Sequence, residues 1–332
     1  TESCYCASTT TNGRLDYLKT LHFHSFSMLF SCRFSIHGWN GQTSTCSNAA
    51  IKDAYLTKGD YNVILVDWSD YSLDINYIRV IVEVFEIAAK FNAFARLLHR
   101  VYGVSFQSMY LIGHSLGCHI AGVAGKLLKP QQYGVIYALD PAGPIHYRLN
   151  TDWRLSPNDA IYVETIQTDV SLFGFAGEVL GHASFYPNWG LGQPHCPNVT
   201  LMEPDFLCDH FGSLYYFVES LRHAEAFGAI RCRNYRSVEQ LKCGCGTQSR
   251  NCKAQVFMGG DPALPKRGVF YLSTRRKMPF GYGEVCRMKL LPLDTLYLIL
   301  FINCSHILFT IRISCCCCCC CVAQIMYNIH YI

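Results

Sequence analysis

The sequence predicts an α/β protein, with a mostly parallel central sheet covered by helices on both faces. Three observations carry this. Strand-length runs are mostly apolar, as in Tyr61–Trp68, Met109–Ile112 and Gly134–Leu139, which is the pattern of strands buried on both sides. Helical spacing separates them, as in Tyr77–Tyr102 with Ile81, Val84, Phe85, Ala88 and Ala89 on one stripe. Two of these strands stop abruptly, at Gly113-His114-Ser115-Leu116-Gly117 and at Asp140-Pro141-Ala142-Gly143-Pro144, and parallel sheets carry working residues at such strand ends.

In chain order, residues 1–33 show no clear period, with a polar stretch from Ser8 to Asn12 and aromatic residues from Leu21 to Phe34. Ser35-Ile36 close a strand before His37-Gly38-Trp39 and a Gly/Ser/Thr/Asn loop. Ile51–Leu56 reads as a short helix, Tyr61–Trp68 as a buried strand, and Tyr77–Tyr102 as one helix or two. After the Ser115 and Asp140 strands, Ala160–Gln167 is a further strand and Gly181–Pro197 a Gly/Pro/Asn-rich loop. A helical run with Leu214, Tyr215, Phe217, Val218 and Leu221 follows Cys208-Asp209-His210.

Gly113-His114-Ser115-Leu116-Gly117 is a G-x-S-x-G sequence in its informative context, with a strand before and small, apolar, helix-packing residues after. A serine on so sharp a turn needs neighbours without Cβ atoms two positions either side. The helix start behind Ser115 adds free N–H groups and a positive dipole end. A serine hydroxyl needs a histidine base, and the histidine needs an orienting carboxylate. In α/β-hydrolase sheets the order along the chain is Ser, acid, His. Asp140 satisfies it, whereas Asp67 precedes Ser115 and reads as a strand end. The base follows Asp140, among His146, His182, His195, His210 and His223, with His306 and His330 in the tail. His210 is favoured because it stands just before a helix, at the close of a segment that begins at Cys196. His182 and His195 read as surface or packing residues. Two backbone N–H groups are needed for an oxyanion, and those of Leu116 and Trp39 fit.

GHSLGCHIAGVAGK, LDPAGP, HGW, VILVDWS, GHASFYPNWGLGQPHC and CDHFGSLYYFVESL together resemble the pancreatic-lipase-like family of secreted lipases, especially its insect and phospholipase A1 branch. The resemblance spans about Phe34 to Gly283 and implies an α/β-hydrolase fold. It implies Ser115 as nucleophile, Asp140 as acid, His210 as base, and Trp39 and Leu116 as oxyanion donors. The intact triad disfavours the family's non-catalytic, lipid-binding yolk-protein relatives. This sequence departs from the family pattern at Gln167, Trp189, His195 and Cys118. The family's calcium loop would fall at Arg154–Asp159, where Ser156 stands at an acidic position; we expect no metal and no cofactor.

The resemblance also makes Cys196 to Cys208 a lid over the site, and the eleven residues PNVTLMEPDFL make it a short one. Triacylglycerol lipases carry a longer lid, so an open site for a phospholipid head group is implied. Leu201, Met202, Phe206 and Leu207 are positioned to dip into a lipid surface or to pack on the domain, and Asn198-Val199-Thr200 is an N-glycosylation sequence. Lys266, Arg267, Arg275, Arg276 and Lys277 read as a solvated face, with contact to anionic head groups as the alternative.

The bulk figures bound these readings. At 332 residues, 50% hydrophobic and 16% charged, the chain is not disordered over most of its length. A net charge of +4 gives no case for nucleic acid. Of twenty cysteines, seven form the run Cys315–Cys321, and those between Cys196 and Cys286 are the best disulfide candidates. With Thr1 first and no leader visible, the chain reads as a fragment or processed form, so export rests on cysteines and the resemblance. The expected partition is residues 1–33 as an N-terminal segment, 34–285 as the hydrolase domain and 286–332 as a low-complexity tail. Leu296–Ile313 approaches membrane-spanning length but carries Asn303, His306 and Arg312 and runs into the cysteines; a carboxyl-terminal membrane segment and translated non-coding sequence are the two readings, and the low-complexity run favours the second. The expected function is secreted hydrolysis of a glycerolipid ester at a lipid–water interface, phospholipase A1 before triacylglycerol lipase, with peripheral membrane contact.

Overall fold

A computed structural model of the chain describes residues 30–197, 207–244, 251–287, 311–314 and 322–325. In chain order the larger elements are β1 (Ser31–Ile36), α1 (Cys46–Lys58), β2 (Tyr61–Val66), α2 (Ser69–Ser72), α3 (Tyr77–Tyr102), β3 (Met109–His114), α4 (Leu116–Leu128), β4 (Tyr133–Leu139), β5 (Ala160–Ile166) and β6 (Ala183–Pro187). They continue with α5 (Cys208–Arg222), β7 (Gly228–Cys232), α6 (Tyr235–Glu239), β8 (Asn251–Lys253), β9 (Val256–Phe257), β10 (Gly268–Leu272) and β11 (Val285–Arg287). Nine strands form one sheet in the order β2-β1-β3-β4-β5-β6-β10-β7-β9. All the pairings from β2 across to β10 are parallel, and β7 and β9 finish that edge antiparallel.

Burial on both faces explains the continuous apolar runs. Every residue of β4 is buried. One face meets α3 and α4 through Phe34, Val84, Phe91 and Ile120, and the other meets α1 and α5 through Tyr55, Tyr137 and Phe217. The fold is therefore the α/β-hydrolase type expected. Helix α3 is a single 26-residue helix whose inward stripe includes Val80, Val84, Ile87 and Phe91. The Asn76 side chain caps its start, and Gly103, at φ 68°, ends it.

Several elements differ from the sequence reading. Strand β1 begins at Ser31, in a stretch obscured by two buried polar residues, Arg33 and Ser35. The Arg33 guanidinium makes a two-pronged pair with Asp261, at 2.8 and 3.0 Å, and lies 3.8 Å from the Tyr110 ring centroid. Ser35 donates to Asn48 Oδ1. Helix α1 is longer than expected, 13 residues. The Gly181–Pro197 region is not a plain loop, because β6 lies inside it, fully buried between β5 and β10. Trp189, which departs from the family's glycine, sits at φ 71°, a conformation that costs about 1–2 kcal/mol for a residue with a Cβ. Its ring is buried and stacks on Tyr271 at 3.9 Å.

Disulfides join Cys196 to Cys208 and Cys232 to Cys243. Cys286, at the end of the range expected to be bridged, is instead a free, buried thiol in β11. Among the described residues no helix is long and apolar enough to cross a membrane. The lid residues 198–206, including Asn198, Leu201, Met202 and Phe206, lie outside the described residues, as do residues 1–29, most of Leu296–Ile313, and His306 and His330.

Candidate active site

The site grows from the turn between β3 and α4. Ser115 sits at φ 56°, ψ −121°, outside the ordinary regions for a residue with a side chain, and α4 starts at the next residue. The flanking glycines are sterically required. A Cβ at Gly117 would fall 2.2 Å from the Ile36 carbonyl oxygen, and one at Gly113 2.7 Å from Cys118 N. The loop after β1 also presses on the serine, since a Cβ at Gly38 would lie 2.8 Å from that of Ser115. Trp39 follows directly, its indole N–H donating to Asp74 O at 2.8 Å. Among the described residues neither the Trp39 nor the Leu116 backbone N–H donates to another backbone carbonyl.

Asp140 follows β4 on the neighbouring strand, also at positive φ, 45°. It is fully buried, and Oδ1 accepts the Thr168 and Asp169 N–H groups at 2.7 and 3.0 Å. Oδ2 lies 2.6 Å from His210 Nδ1. His210, in the first turn of α5, is buried and rests against Phe173 and Phe211. Its ring centroid is 4.6 Å from that of His114, the residue before Ser115. The structure thus brings Ser115, Asp140, His210 and the His37-Gly38-Trp39 loop to one rim of the sheet.

Two residues of this site were not picked out from sequence. His114 donates from Nε2 to the His210 carbonyl at 3.3 Å. Burial, with His210 beside it, holds its pKa well below the usual imidazole range, so it is neutral. Asp169 lies within reach of both Asp140 and His210, and burial and the Asp140 charge push its carboxyl above the usual range. The Leu172 and Phe173 N–H groups and the Ser171 hydroxyl satisfy it. His114 is the last residue of β3 and Asp169 lies three residues past the end of β5, and that placement at the carboxyl ends of parallel strands was the only sequence signal.

The remaining candidates have other partners. His146 is buried and stacked on His119 at 4.0 Å, His182 accepts the Val163 N–H, and His195 meets the Tyr216 hydroxyl at 3.1 Å. His223 closes α5 at the surface. Asp67 accepts from Ser69 N and Thr43 Oγ1 at the end of β2.

The loop expected to hold calcium in relatives has donors that do not fit a metal. The Lys126 ammonium reaches Arg154 O at 2.8 Å, Ser156 Oγ at 3.3 Å and Asp159 Oδ2 at 2.5 Å. The oxygens a cation would take are already gathered around a lysine on α4. Gly122 and Gly125 allow this approach, since a Cβ at Gly125 would meet Asp159 O at 2.0 Å.

A family model described as Lipase matches residues 8–280. Lipase member H of Oryctolagus cuniculus is 34% identical over 238 residues, covering 69% of this chain and 51% of that protein. Lipase member H of Mus musculus is 36% identical over 189 residues, 56% of this chain and 41% of that protein. Phospholipase A1 member A of Bos taurus is 35% identical over 192 residues, 58% and 41% respectively. The chain spans about half, or less, of the length of these relatives.

Proposed function

The chain belongs to the lipase family, and from this premise we propose that it is a secreted serine carboxylester hydrolase acting on glycerolipids through an acyl-enzyme. The observation that carries the proposal is the 2.6 Å Asp140–His210 bond set beside a serine in a left-handed elbow. Ser115 Oγ attacks the ester carbonyl as His210 takes its proton. The Trp39 and Leu116 N–H groups hold the oxyanion. The His210 imidazolium then protonates the departing alcohol, and a water molecule deprotonated by His210 releases the fatty acid. Asp140 takes the Nδ1 side of the ring, which leaves Nε2 for the serine, and two backbone donors fix its other oxygen. His114 holds the His210 backbone in place.

Within glycerolipids we favour phospholipase A1 over triacylglycerol lipase. Only twelve positions separate the bonded Cys196 and Cys208, so the lid is too short to lay a broad apolar face over the site. The name of the bovine relative accords with this. Secretion is part of the proposal and rests on the paired cysteines and the family. The test is hydrolysis of phosphatidylcholine and of a triacylglycerol in matched mixed micelles. The proposal expects the phospholipid to be cleaved faster, with fatty acid released from one position. A preference for triacylglycerol overturns the substrate class, and no hydrolysis of either overturns the enzyme reading in favour of a lipid-binding relative.

A further inference from the structure

The rim that carries Ser115 continues on both sides, and its two flanks differ chemically. On the β2 side, the chain after α2 exposes Leu73 at 50%, Ile75 at 64% and, one residue into α3, Ile78 at 57%. This segment is tied to the site, because Asp74 O accepts the Trp39 indole N–H and the Tyr77 ring lies 5.0 Å from that of Trp39. On the other side, β10 is parallel to β6, so its carboxyl end points to the same rim. There Arg275, Arg276, Lys277 and Met278 are all exposed, Met278 at 75%.

That loop is held rigidly at its base. Arg275 N–H donates to Phe280 O at 2.7 Å and closes it. Thr274 bonds Asn188 and Tyr216, and Glu219 accepts the Phe280 and Gly281 N–H groups at 2.7 and 2.8 Å. Gln193 connects it to the base: Tyr216 donates to Gln193 Oε1, and Gln193 N–H donates to Asp209, the residue before His210. No carboxylate lies within the loop, and Glu219 beside it is buried and engaged. Three cations and a methionine are therefore presented from a fixed base, level with the reaction site and opposite an apolar edge. A solvated surface does not need that arrangement, whereas an anionic, partly apolar layer matches it.

We propose that the two flanks form one docking surface for an anionic lipid–water interface, with Arg275, Arg276 and Lys277 meeting the head groups and Leu73, Ile75, Ile78 and Met278 entering the acyl boundary. This rests on the hydrolase reading only for the identity of the lipid being cleaved; the surface itself follows from the rim. The test measures binding to phosphatidylcholine vesicles with and without phosphatidylserine, in a Ser115→Ala background so that no lipid is consumed. Arg275→Gln/Arg276→Gln/Lys277→Gln should weaken binding to phosphatidylserine vesicles about a hundred-fold, at about five-fold per cation, and leave binding to phosphatidylcholine unchanged. Ile75→Ser/Ile78→Ser should weaken binding to both. Arg275→Lys/Arg276→Lys should retain wild-type binding. With Ser115 intact, the charge-removed variant should hydrolyse soluble p-nitrophenyl butyrate at the wild-type rate, which also reports that it is folded. Equal binding of the charge-removed and parent proteins to phosphatidylserine vesicles overturns the proposal, as does a parent that does not distinguish the two vesicles. Charge-dependent vesicle binding by a protein that cleaves no soluble ester keeps the surface and removes the hydrolase reading.

Discussion

Helix α4 has a buried carboxylate paired with a basic side chain at each end, and the two pairs do different work. At its start, beside Ser115, Asp140 meets His210 at 2.6 Å. Near its end, Asp159 meets Lys126 at 2.5 Å. In both, backbone N–H groups supplement the basic partner, Thr168 and Asp169 for Asp140 and Ser156 for Asp159. What differs is the partner's chemistry. An imidazole gains and loses a proton near neutral pH, whereas an ammonium stays charged, so the first pair can shuttle a proton and the second can only fasten. His119 joins the two regions. Its Nδ1 accepts the Leu155 N–H at 3.1 Å, and its Nε2 donates to Ala142 O at 2.7 Å, two residues after Asp140. Ala142 N–H in turn donates to Ser115 O at 3.2 Å. The strained elbow is thus braced through α4 by the lysine end.

If the first pair is the reactive one, breaking it removes turnover and spares the fold. Ser115→Ala should lower kcat by about 10⁶-fold with an unchanged unfolding midpoint. Asp140→Asn should cost about 10⁴-fold, since an amide favours the wrong imidazole tautomer. Steady-state kinetics on a soluble ester, alongside thermal unfolding, checks both. A loss of stability matching the loss of rate would mean that this pair fastens too.

The lysine pair should respond in the opposite way. Lys126→Met leaves Asp159 buried without its cation, a change worth about 3–5 kcal/mol, and Lys126→Met/Asp159→Asn should recover much of it. Denaturant unfolding measures this, and kcat of the folded fraction should stay within a few-fold of wild type. Added calcium or a chelator should leave the wild-type midpoint unmoved, because the ammonium already holds the loop oxygens.

The smallest effect is on pH dependence, through the link between the pairs. Burial holds His146, stacked on His119, down at about 4, and His119 well below the usual range. The unfolded chain takes up protons near pH 6.5 that the folded chain refuses. Stability from these groups is therefore complete above about pH 6.5 and is lost as pH falls toward 4, by about 1.4 kcal/mol per group per pH unit at most. Unfolding midpoints measured across that window should fall with acidity, and a His146→Asn variant should show a shallower slope.

The features most legible in the sequence were those whose requirements are local. The Ser115 elbow needs glycines at fixed offsets, and its neighbours leave no room for a Cβ, so five residues with their flanks announced it. Asp140 followed from chain order and an abrupt strand end. His210 lies 70 residues from its carboxylate, and nothing in the spacing alone chose it over His195; the cysteine boundary and the family likeness did. What stayed hidden depended on partners distant in the chain. Arg33 falls in the stretch that shows no clear period, and the carboxylate that lets it be buried in a strand is 228 residues away. Strand β6 passed for loop because Ser184 and the Pro-Asn that follows mask its burial. Lys126 gathers the Arg154 and Asp159 oxygens from 28 and 33 residues away, a pairing that no local spacing announces.

The central claim is that Ser115, His210 and Asp140 act as one nucleophilic unit. It is tested most directly by reacting the protein with a fluorophosphonate and locating the adduct by mass spectrometry, in the wild type and in His210→Ala. The account predicts one adduct per chain, on Ser115, and its loss in His210→Ala without loss of fold. Modification at another residue, or undiminished labelling of Ser115 without the imidazole, would contradict it.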